Sequence, residues 1–292
     1  MKNIAIALGA VAWSVAVGVS AAPVSSLVPG KWFDRVLTVV FENTDYDAAV
    51  TNFSPLTQLA GGRLLTNYDA LFHPSQPNYL ALLTGDRSAW LDSNVNVNKK
   101  NLVDLLEAGG ISWKTYQELY PGNCFAGATS GKYARKHNPF ISMDNVRNNP
   151  TRCAKIVEAG QFQKDLDAGT LPQFMFYTPD LNNDGHDTSP ETAAAFATKF
   201  LGPLLKNPTF MKNTLVVVTW DERESFFGRN QVATFLLGPV VANTGGVSGG
   251  QDNTKYTHYS LLRTWEDNWS LGNLGTNDVK AQPFLGLARS AK

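Results

Sequence analysis

The chain of 292 residues is poor in cysteine, in histidine and in net charge. It contains 2 Cys and 4 His, and its 25 basic residues balance 25 acidic ones. The balanced charge argues against a basic nucleic-acid-binding protein, and two cysteines are too few for a disulfide-dense scaffold. Collagen-like, coiled-coil and disordered chains need a biased composition that is also missing. The composition therefore indicates a globular protein that is long enough to bury a sizeable core.

Long apolar runs are scarce as well, since the N-terminal stretch 4–19 is the single continuous one. It follows one positive charge and precedes small residues, which is typical of a secretory signal peptide over residues 1–21. The alternative is an uncleaved anchor, for which the stretch is marginal in length. We expect a secreted, extracellular protein in which Cys124 and Cys153 form a disulfide, because the compartment oxidises thiols. Asn52 and Asn268 begin N-glycosylation tripeptides, which would matter in a eukaryotic host.

Strand-like and helix-like patterns alternate along the rest of the chain. Continuous runs of β-branched and aromatic residues predict strands at 36–41, 111–116, 173–177, 215–220 and 233–237. Helical patterns lie at 78–83, 101–108, 154–168 and 190–205. Because continuous rather than alternating strands are buried on both faces, the pattern predicts an α/β fold with a parallel or mixed sheet covered by helices. We interpret residues 22–292 as one domain and the Gly/Asn-rich stretch 243–253 as a loop within it.

Acidic residues follow two of the predicted strands directly. Glu42 and Asn43 come after 36–41, and Asp221 and Glu222 come after 215–220. Ligands of open α/β sheets bind outside the carboxyl ends of the strands, so these oxygen ligands could converge on one cation. The alternative is that each pair is a solvated acid or a turn at the end of its strand.

Ser75 lies just before the helix predicted at 78–83. Pro77 suits the first turn of that helix, and a helix N-terminus favours an anion such as a phosphate or a serine alkoxide. The alternative is that Ser75 only caps the helix.

The four histidines are His73, His137, His186 and His258, and none lies on an amphipathic helical stripe. Asp187 follows His186 and could orient its imidazole or bind a metal. A lone histidine in a loop is otherwise more often structural.

Five short motifs occur in a recognisable order. They are Phe41-Glu42-Asn43, His73-Pro74-Ser75-Gln76-Pro77-Asn78-Tyr79, Lys136-His137-Asn138-Pro139, Asn183-Asp184-Gly185-His186-Asp187 and Thr219-Trp220-Asp221-Glu222. This set resembles the phosphoesterase family that includes bacterial phospholipases C and secreted acid phosphatases, and most of all its short fungal acid phosphatases. The resemblance spans roughly residues 36–258 and implies an alkaline-phosphatase-like three-layer α/β/α sandwich with a mostly parallel central sheet.

The resemblance also implies roles for individual residues. It implies that one divalent ion (Ca, Mg, Mn or Zn) is bound by Glu42, Asn43, Ser75, Asp221 and Glu222. It implies catalytic roles for Ser75, His73, His137, His186, His258 and Asp187. In such a site Ser75 is the nucleophile that forms a phosphoserine, and a histidine protonates the leaving oxygen. The expected activity is that of a metal-dependent acid phosphatase acting on small phosphate esters, without nucleic acid and without stable membrane association.

The chain departs from the larger phospholipases C of the family. Those have a longer glycine-rich segment after the Asp-Glu pair, and they commonly carry Thr at the place of Ser75 and Arg at the place of Tyr79. The departure favours phosphate monoesters over phospholipids. Two alternatives stay open: a phospholipase C or phosphodiesterase on the same scaffold, and a secreted binding protein without activity.

Overall fold

The computed structural model describes residue 1, residues 27–242 and residues 250–290. The predicted signal peptide at 1–21 and most of the predicted loop at 243–253 lie outside the described residues. Within the described part, no helix is both long enough and apolar enough to cross a bilayer.

Twelve strands, eleven α-helices and two short 3₁₀ helices make up the described chain. The strands are β1 Arg35–Phe41, β2 Gly62–Leu65, β3 Tyr68–Asp69, β4 Trp113–Gln117, β5 Thr129–Ser130, β6 Tyr133–Ala134, β7 Ile156–Glu158, β8 Phe174–Thr178, β9 Thr214–Trp220, β10 Thr234–Leu237, β11 Gln251–Asp252 and β12 Tyr256–Thr257. The helices are α1 Tyr46–Phe53, α2 Pro55–Ala60, α3 Ser75–Thr84, α4 Leu102–Ala108, α5 Pro139–Ser142, α6 Asp144–Arg147, α7 Pro150–Cys153, α8 Gln161–Asp167, α9 Pro190–Leu205, α10 Pro208–Met211 and α11 His258–Asn268, with 3₁₀ turns at Arg135–His137 and Asn277–Lys280.

Eight strands form one sheet in the order β11-β2-β10-β9-β1-β8-β4-β7. The neighbours from β9 to β7 pair in parallel, whereas β10 is antiparallel to both β9 and β2. Seven strands of this sheet therefore run in one direction and β10 runs against them. The prediction of an α/β fold with a mostly parallel central sheet is confirmed.

Helices cover both faces of the sheet, and aromatic side chains attach them to it. Phe174 of β8 lies beside Val36 of β1 in register and packs edge-on against Trp265 of α11, with ring centroids 5.0 Å apart. Phe41 is five residues beyond Val36, so it points to the opposite face, where its ring lies 5.0 Å from that of Phe53 in α1. The described layers are thus helix, sheet and helix.

Region 154–168 does not form the single helix that its pattern predicts. Its first part, Ile156–Glu158, is strand β7, which pairs in parallel with β4 at the edge of the sheet. The helix starts only at Gln161, after Gly160. The apolar residues of this stretch satisfy either period over so short a length, and the free edge of β4 decides in favour of a strand.

The expected disulfide between Cys124 and Cys153 is present, with their Cα atoms 5.8 Å apart. It ties the loop after β4 to α7. One of the two N-glycosylation tripeptides is not accessible, because Asn268 is 1% exposed and its amide bonds to the backbone of Trp32 and Phe33. The buried position of Asn268 leaves no room for a glycan in the described structure.

Candidate active site

Three acidic side chains meet at the carboxyl ends of the central parallel strands. Phe41 and Trp220 are in register at the ends of β1 and β9 and point to the α1 face, so the next residues, Glu42 and Asp221, point to the α3 face. Backbone bonds hold these ends together, since the Asp221 amide donates to the Phe41 carbonyl at 3.0 Å and the Glu42 amide donates to the Asp184 carbonyl at 3.0 Å. Asp184 therefore joins the pair from the loop after β8.

Ser75 is the first residue of α3 and faces this acidic group. Its side chain makes no capping bond to its own helix. Instead Oγ donates to Glu42 Oε2 at 3.0 Å and approaches Glu222 Oε1 at 3.2 Å. The carboxamide of Asn78 holds the preceding loop by bonding to the backbone of residues 71 and 72. Ser75 Oγ therefore contacts the acidic group, and the N-cap position of α3 is held by Pro74.

His137 lies between two of the buried acids. Its Nε2 is 3.2 Å from Glu42 Oε1 and its Nδ1 is 3.3 Å from Asp184 Oδ2, and its ring stacks on Tyr79 with centroids 5.3 Å apart. Among the described residues, Nε2 and both of these carboxylate oxygens have no partner aligned for a hydrogen bond. The two acids therefore lie at opposite nitrogens of the ring, and the unpartnered pair of Nε2 and Glu42 Oε1 suits groups that would bind the same cation.

Burial raises the pKa values of the acids in this group. It raises those of Glu42 and Asp184 well above the usual range, to which the charge of Asp221 adds in both cases. Burial also raises the pKa of Asp221 to about 7 and that of Glu222 to about 9. For His137 burial acts in the opposite direction and holds the pKa well below its ordinary value. The site therefore has four carboxyl groups and a neutral imidazole where water is excluded.

A cleft of about 600 Å³ opens above Ser75. Lys136 and His186 line it, and Lys136 Nζ lies 3.1 Å from His186 Nε2 and 2.9 Å from Asp92 Oδ2. Although burial opposes the charge, the Asp92 carboxylate raises the pKa of Lys136 above its ordinary value. Since an ammonium only donates, Nε2 accepts and the other ring nitrogen of His186 donates to Asp187 Oδ1 at 2.7 Å.

The other two histidines lie in different surroundings. His73 is at the rim, where its Nδ1 contacts Glu222. His258 is fully buried behind the acids: Nε2 donates to the Asp221 carbonyl at 2.7 Å, so Nδ1 accepts from the Tyr68 hydroxyl at 3.0 Å. Burial lowers the pKa of His258 to about 4. The structure thus brings His73 and His137 into contact with the acids and His186 to the cleft, while His258 supports the strand end from the core.

The remaining predicted ligand, Asn43, lines the cleft with a positive φ of 42°. Sequence reasoning missed Asp184, Lys136 and Asp92 as members of the site. Asp184 had a readable signal, because it follows a third buried strand and precedes Gly185, whose φ of +98° suits glycine alone. Asp92 had none, since it comes from a surface loop that only the tertiary fold brings to Lys136.

Two sets of side chains fit a metal ion. One is Glu42, His137 and His186, whose ligand atoms all lie within 4.8 Å of one another. The other is the set predicted from the sequence, in which both oxygens of Asp221 are buried and, among the described residues, lack a hydrogen-bond partner. Glu42 belongs to both sets, with Oε1 toward His137 and Oε2 toward Ser75. Buried carboxylates that lack partners are what a bound cation would satisfy.

Comparison with known proteins places the chain in a family. Residues 56–272 match the model described as the Phosphoesterase family. The chain belongs to this family, and the resemblance seen in the motifs is confirmed. The structure is similar in fold to a protein of the alkaline phosphatase superfamily from Vibrio parahaemolyticus, with a TM-score of 0.51 at 12% identity over 90% of this chain and 75% of that one.

Several similar proteins are phosphatases by name. A probable acid phosphatase of Kluyveromyces lactis is 43% identical over 278 residues, which are 92% of this chain and 66% of that protein. A phosphatidylinositol-3-phosphatase of Mycobacterium tuberculosis is 32% identical over 249 residues, which are 83% of this chain and 79% of that protein. The chain spans between 60% and 66% of the length of the four fungal acid phosphatases that it matches.

Proposed function

We propose that this protein is a metal-dependent acid phosphatase that hydrolyses phosphate monoesters through a phosphoserine. The observation that carries the proposal is the position of Ser75 Oγ, which lies between two carboxylates at the floor of an open cleft. The similarity to fungal acid phosphatases over about nine tenths of this chain supports the same activity.

In the first half-reaction Ser75 Oγ attacks phosphorus and the ester oxygen leaves. The hydroxyl proton has acceptors in place when a bound cation keeps the neighbouring carboxyl groups ionised, since Glu42 Oε2 and Glu222 Oε1 lie 3.0 and 3.2 Å from Oγ. The Lys136 ammonium lines the same cleft and offsets negative charge on the phosphoryl oxygens. Ser75 begins α3, so the positive end of that helix also faces the phosphoryl group.

His186 is the group that we assign to the leaving oxygen. It lines the cleft, and Asp187 fixes its orientation through Nδ1. In the acid form of His186, Nε2 carries a proton and no longer accepts from Lys136. Nε2 gives this proton to the departing alkoxide and then takes one from the water that hydrolyses the phosphoserine. The Asp187 carboxylate stabilises the protonated imidazole. In keeping with this role, the hydrogen bond with His186 holds the pKa of Asp187 below its usual range.

A divalent cation fits among the carboxylates of this site. Glu42, Asp221 and Glu222 would hold it, with Asn43 and Ser75 or with His137 and His186 completing the set. When bound, the ion supplies positive charge that lowers the pKa of the serine hydroxyl and offsets phosphoryl charge. Carboxylate and imidazole ligands together suit zinc or manganese, and oxygen ligands alone suit calcium or magnesium.

We also propose that residues 1–21 are a secretory signal and that residues 22–292 form one phosphoesterase domain. The sheet supports the second part, because its strands come from the whole length between Arg35 and Asp252. The disulfide between Cys124 and Cys153 is in keeping with an oxidising compartment.

The decisive experiment is the variant Ser75→Ala assayed on a small phosphate monoester. We expect kcat to fall by at least about 10³-fold, because the chemical step loses its nucleophile. Ser93→Ala is the matched control, since Ser93 is an exposed serine on a nearby loop whose hydroxyl bonds only to the Leu91 carbonyl. Native-like turnover in Ser75→Ala, with both variants folded, would refute the nucleophile assignment.

The same assay separates the competing substrates. An acid phosphatase releases phosphate from a small monoester, whereas a phospholipase C releases phosphocholine from phosphatidylcholine. We expect turnover of the monoester to exceed that of the phospholipid at least tenfold, at about 1.4 kcal/mol of discrimination. Preference for the phospholipid would overturn the monoester assignment and leave Ser75 as the nucleophile.

A further inference from the structure

A phenyl ring, that of Phe226, lines the cleft above Ser75. Phe226 is 68% exposed although it is a large apolar side chain, and its neighbour Phe227 is 88% exposed. Phe226 is among the residues that line the cleft, and Phe227 is not. An exposed ring at the opening of a polar site has an energetic cost that a bound apolar partner removes.

The Phe226 ring stacks on His73. The two ring centroids are 4.6 Å apart and the planes meet at 29°. His73 Nδ1 contacts Glu222, and Glu222 in turn approaches the Ser75 hydroxyl at 3.2 Å. The Phe226 ring is therefore connected to Ser75 through two side chains, and both residues line the same cleft.

The loop that carries Phe226 is held in place by Arg223. Its guanidinium bonds to Asp45 at 2.9 Å and to the backbone carbonyls of Phe227 and Arg229 at 3.2 and 3.0 Å. The Arg223 amide donates to the Asn230 side chain at 3.0 Å, which closes the base of the loop. Because the chain before and after Phe226 is held by these bonds, the loop loses little conformational entropy when a ligand binds.

We propose that Phe226, backed by His73, is a leaving-group subsite that binds the planar aromatic ring of a phosphate monoester. The proposal rests on the phosphatase function above and names the class of alcohol that the cleft prefers. One face of Phe226 lies on His73, and its exposed surface offers a second face for offset stacking with an aryl group or a nucleobase.

The test compares two esters of equal bulk, benzyl phosphate and cyclohexylmethyl phosphate, which differ in having a planar or a saturated ring. The native protein should show the higher kcat/KM for benzyl phosphate. Phe226→Leu keeps an apolar side chain but removes the aromatic face, so it should lower the benzyl-to-cyclohexylmethyl ratio by about 3-fold to 10-fold. Phe226→Tyr should retain the ratio. The comparison of ratios cancels any difference in the chemical reactivity of the two esters.

Phe227→Leu is the matched control, because it removes a neighbouring exposed ring that does not line the cleft. A ratio in Phe226→Leu within about twofold of the native value, or an equal fall in Phe227→Leu, would overturn the proposal. Binding of benzylphosphonate and cyclohexylmethylphosphonate, measured by calorimetry, provides a readout without turnover. If neither ester is hydrolysed but Phe226→Leu weakens benzylphosphonate selectively, the phosphatase function fails and the subsite stands. If both esters are hydrolysed and neither ratio changes, the subsite alone fails.

Discussion

Two groups of buried acids in this protein solve the same electrostatic problem differently. Glu266 of α11 is buried beside Asp278, and burial, followed by the Asp278 charge, raises the pKa of Glu266 to about 9. Burial works against Asp278 too, but the amides of Leu274 and Thr276 donate to it at 2.6 and 2.7 Å and its pKa is lowered. A proton on Glu266 therefore leaves this pair with a single negative charge, and the surrounding polypeptide buries both side chains.

The group around Ser75 has no such solution. Four carboxyl groups, those of Glu42, Asp184, Asp221 and Glu222, all have raised pKa values. Their imidazole neighbour His137 is held neutral by burial, and a cleft opens beside them. Two acids can share a proton, but four acids around a buried hydroxyl that lines a cleft would suit a bound cation. Burial of acids alone therefore does not identify a functional site, whereas the number of acids and the direction of their side chains do.

The largest expected effect on metal binding comes from Asp221→Asn. This variant removes one of the carboxylates that would hold the metal, so we expect metal affinity and kcat to fall by at least about 100-fold. Metal analysis of the purified protein and turnover of a phosphate monoester measure the two effects. Glu266→Gln is the control, since it changes an equally buried acid and should keep the metal. Unchanged metal content in Asp221→Asn would mean that Asp221 does not bind the metal and that its burial resembles that of Glu266.

Metal removal should lower the stability of the folded protein, because it leaves four buried carboxyl groups close together. Because the folded pKa values of Asp221 and Glu222 are raised to about 7 and about 9, the folded chain holds more protons than the unfolded chain from about pH 4 to pH 9. The free energy of unfolding of the metal-free protein therefore falls as pH rises through this window. We expect chelation to lower Tm by on the order of 5–10 °C at pH 8 and by much less at pH 5. Thermal melts with and without a chelator test this, and equal shifts at both pH values would contradict it.

The two histidines on opposite sides of the acids should differ in what they affect. His186→Asn removes the proton donor that lines the cleft, so kcat should fall by about 10²-fold to 10⁴-fold while Tm changes little. His258→Gln disturbs buried bonds to Asp221 and Tyr68, so the free energy of unfolding should fall by about 1–3 kcal/mol. Activity at saturating substrate and urea unfolding separate the two. A larger loss of kcat in the folded His258 variant would give His258 a direct role in catalysis.

The smallest effect is expected for Glu266→Gln. A glutamine amide donates to Asp278 as a protonated glutamic acid does, but it cannot ionise. Between about pH 5 and pH 9 Glu266 keeps its proton in the folded chain and loses it in the unfolded chain. The free energy of unfolding of the native protein therefore falls as pH rises through this range, whereas that of the variant does not. We expect the variant to be more stable than the native protein by on the order of 1–2 kcal/mol at pH 8, with kcat unchanged. A stability difference that does not grow with pH would mean that Glu266 does not hold the proton.

Much of the fold was predictable because its central strands are continuous apolar runs. The strands that end at Phe41 and Trp220, and the helix Pro190–Leu205, lie where their patterns predict them. The strand Ile156–Glu158 was not predictable, since its three residues carry no period of their own and only the edge of β4 makes them a strand. The local sequence pattern determines the secondary structure of long elements, whereas pairing with a neighbouring strand determines that of short ones.

The candidate site divides in the same way. Glu42, Asp221, Glu222 and Ser75 could be predicted because each directly follows a strand or begins a helix, where a ligand site is expected. The roles of the four histidines could not be separated from the sequence, because each lies in a short motif of the same appearance. Burial tells His258 from His186, and burial belongs to the folded chain.

The sequence by itself determined the parallel sheet, the acids at the ends of its strands, the serine at the start of α3 and the family to which the chain belongs. These are local properties, in which period, chain order and neighbouring residues carry the information. The tertiary structure decided that Asp184 and His137 join those acids, that His258 lies behind them, and that Phe226 stacks on His73 above the serine. The reason is physical: these contacts join residues far apart in the chain, and pKa and stacking depend on burial and geometry that no single segment contains.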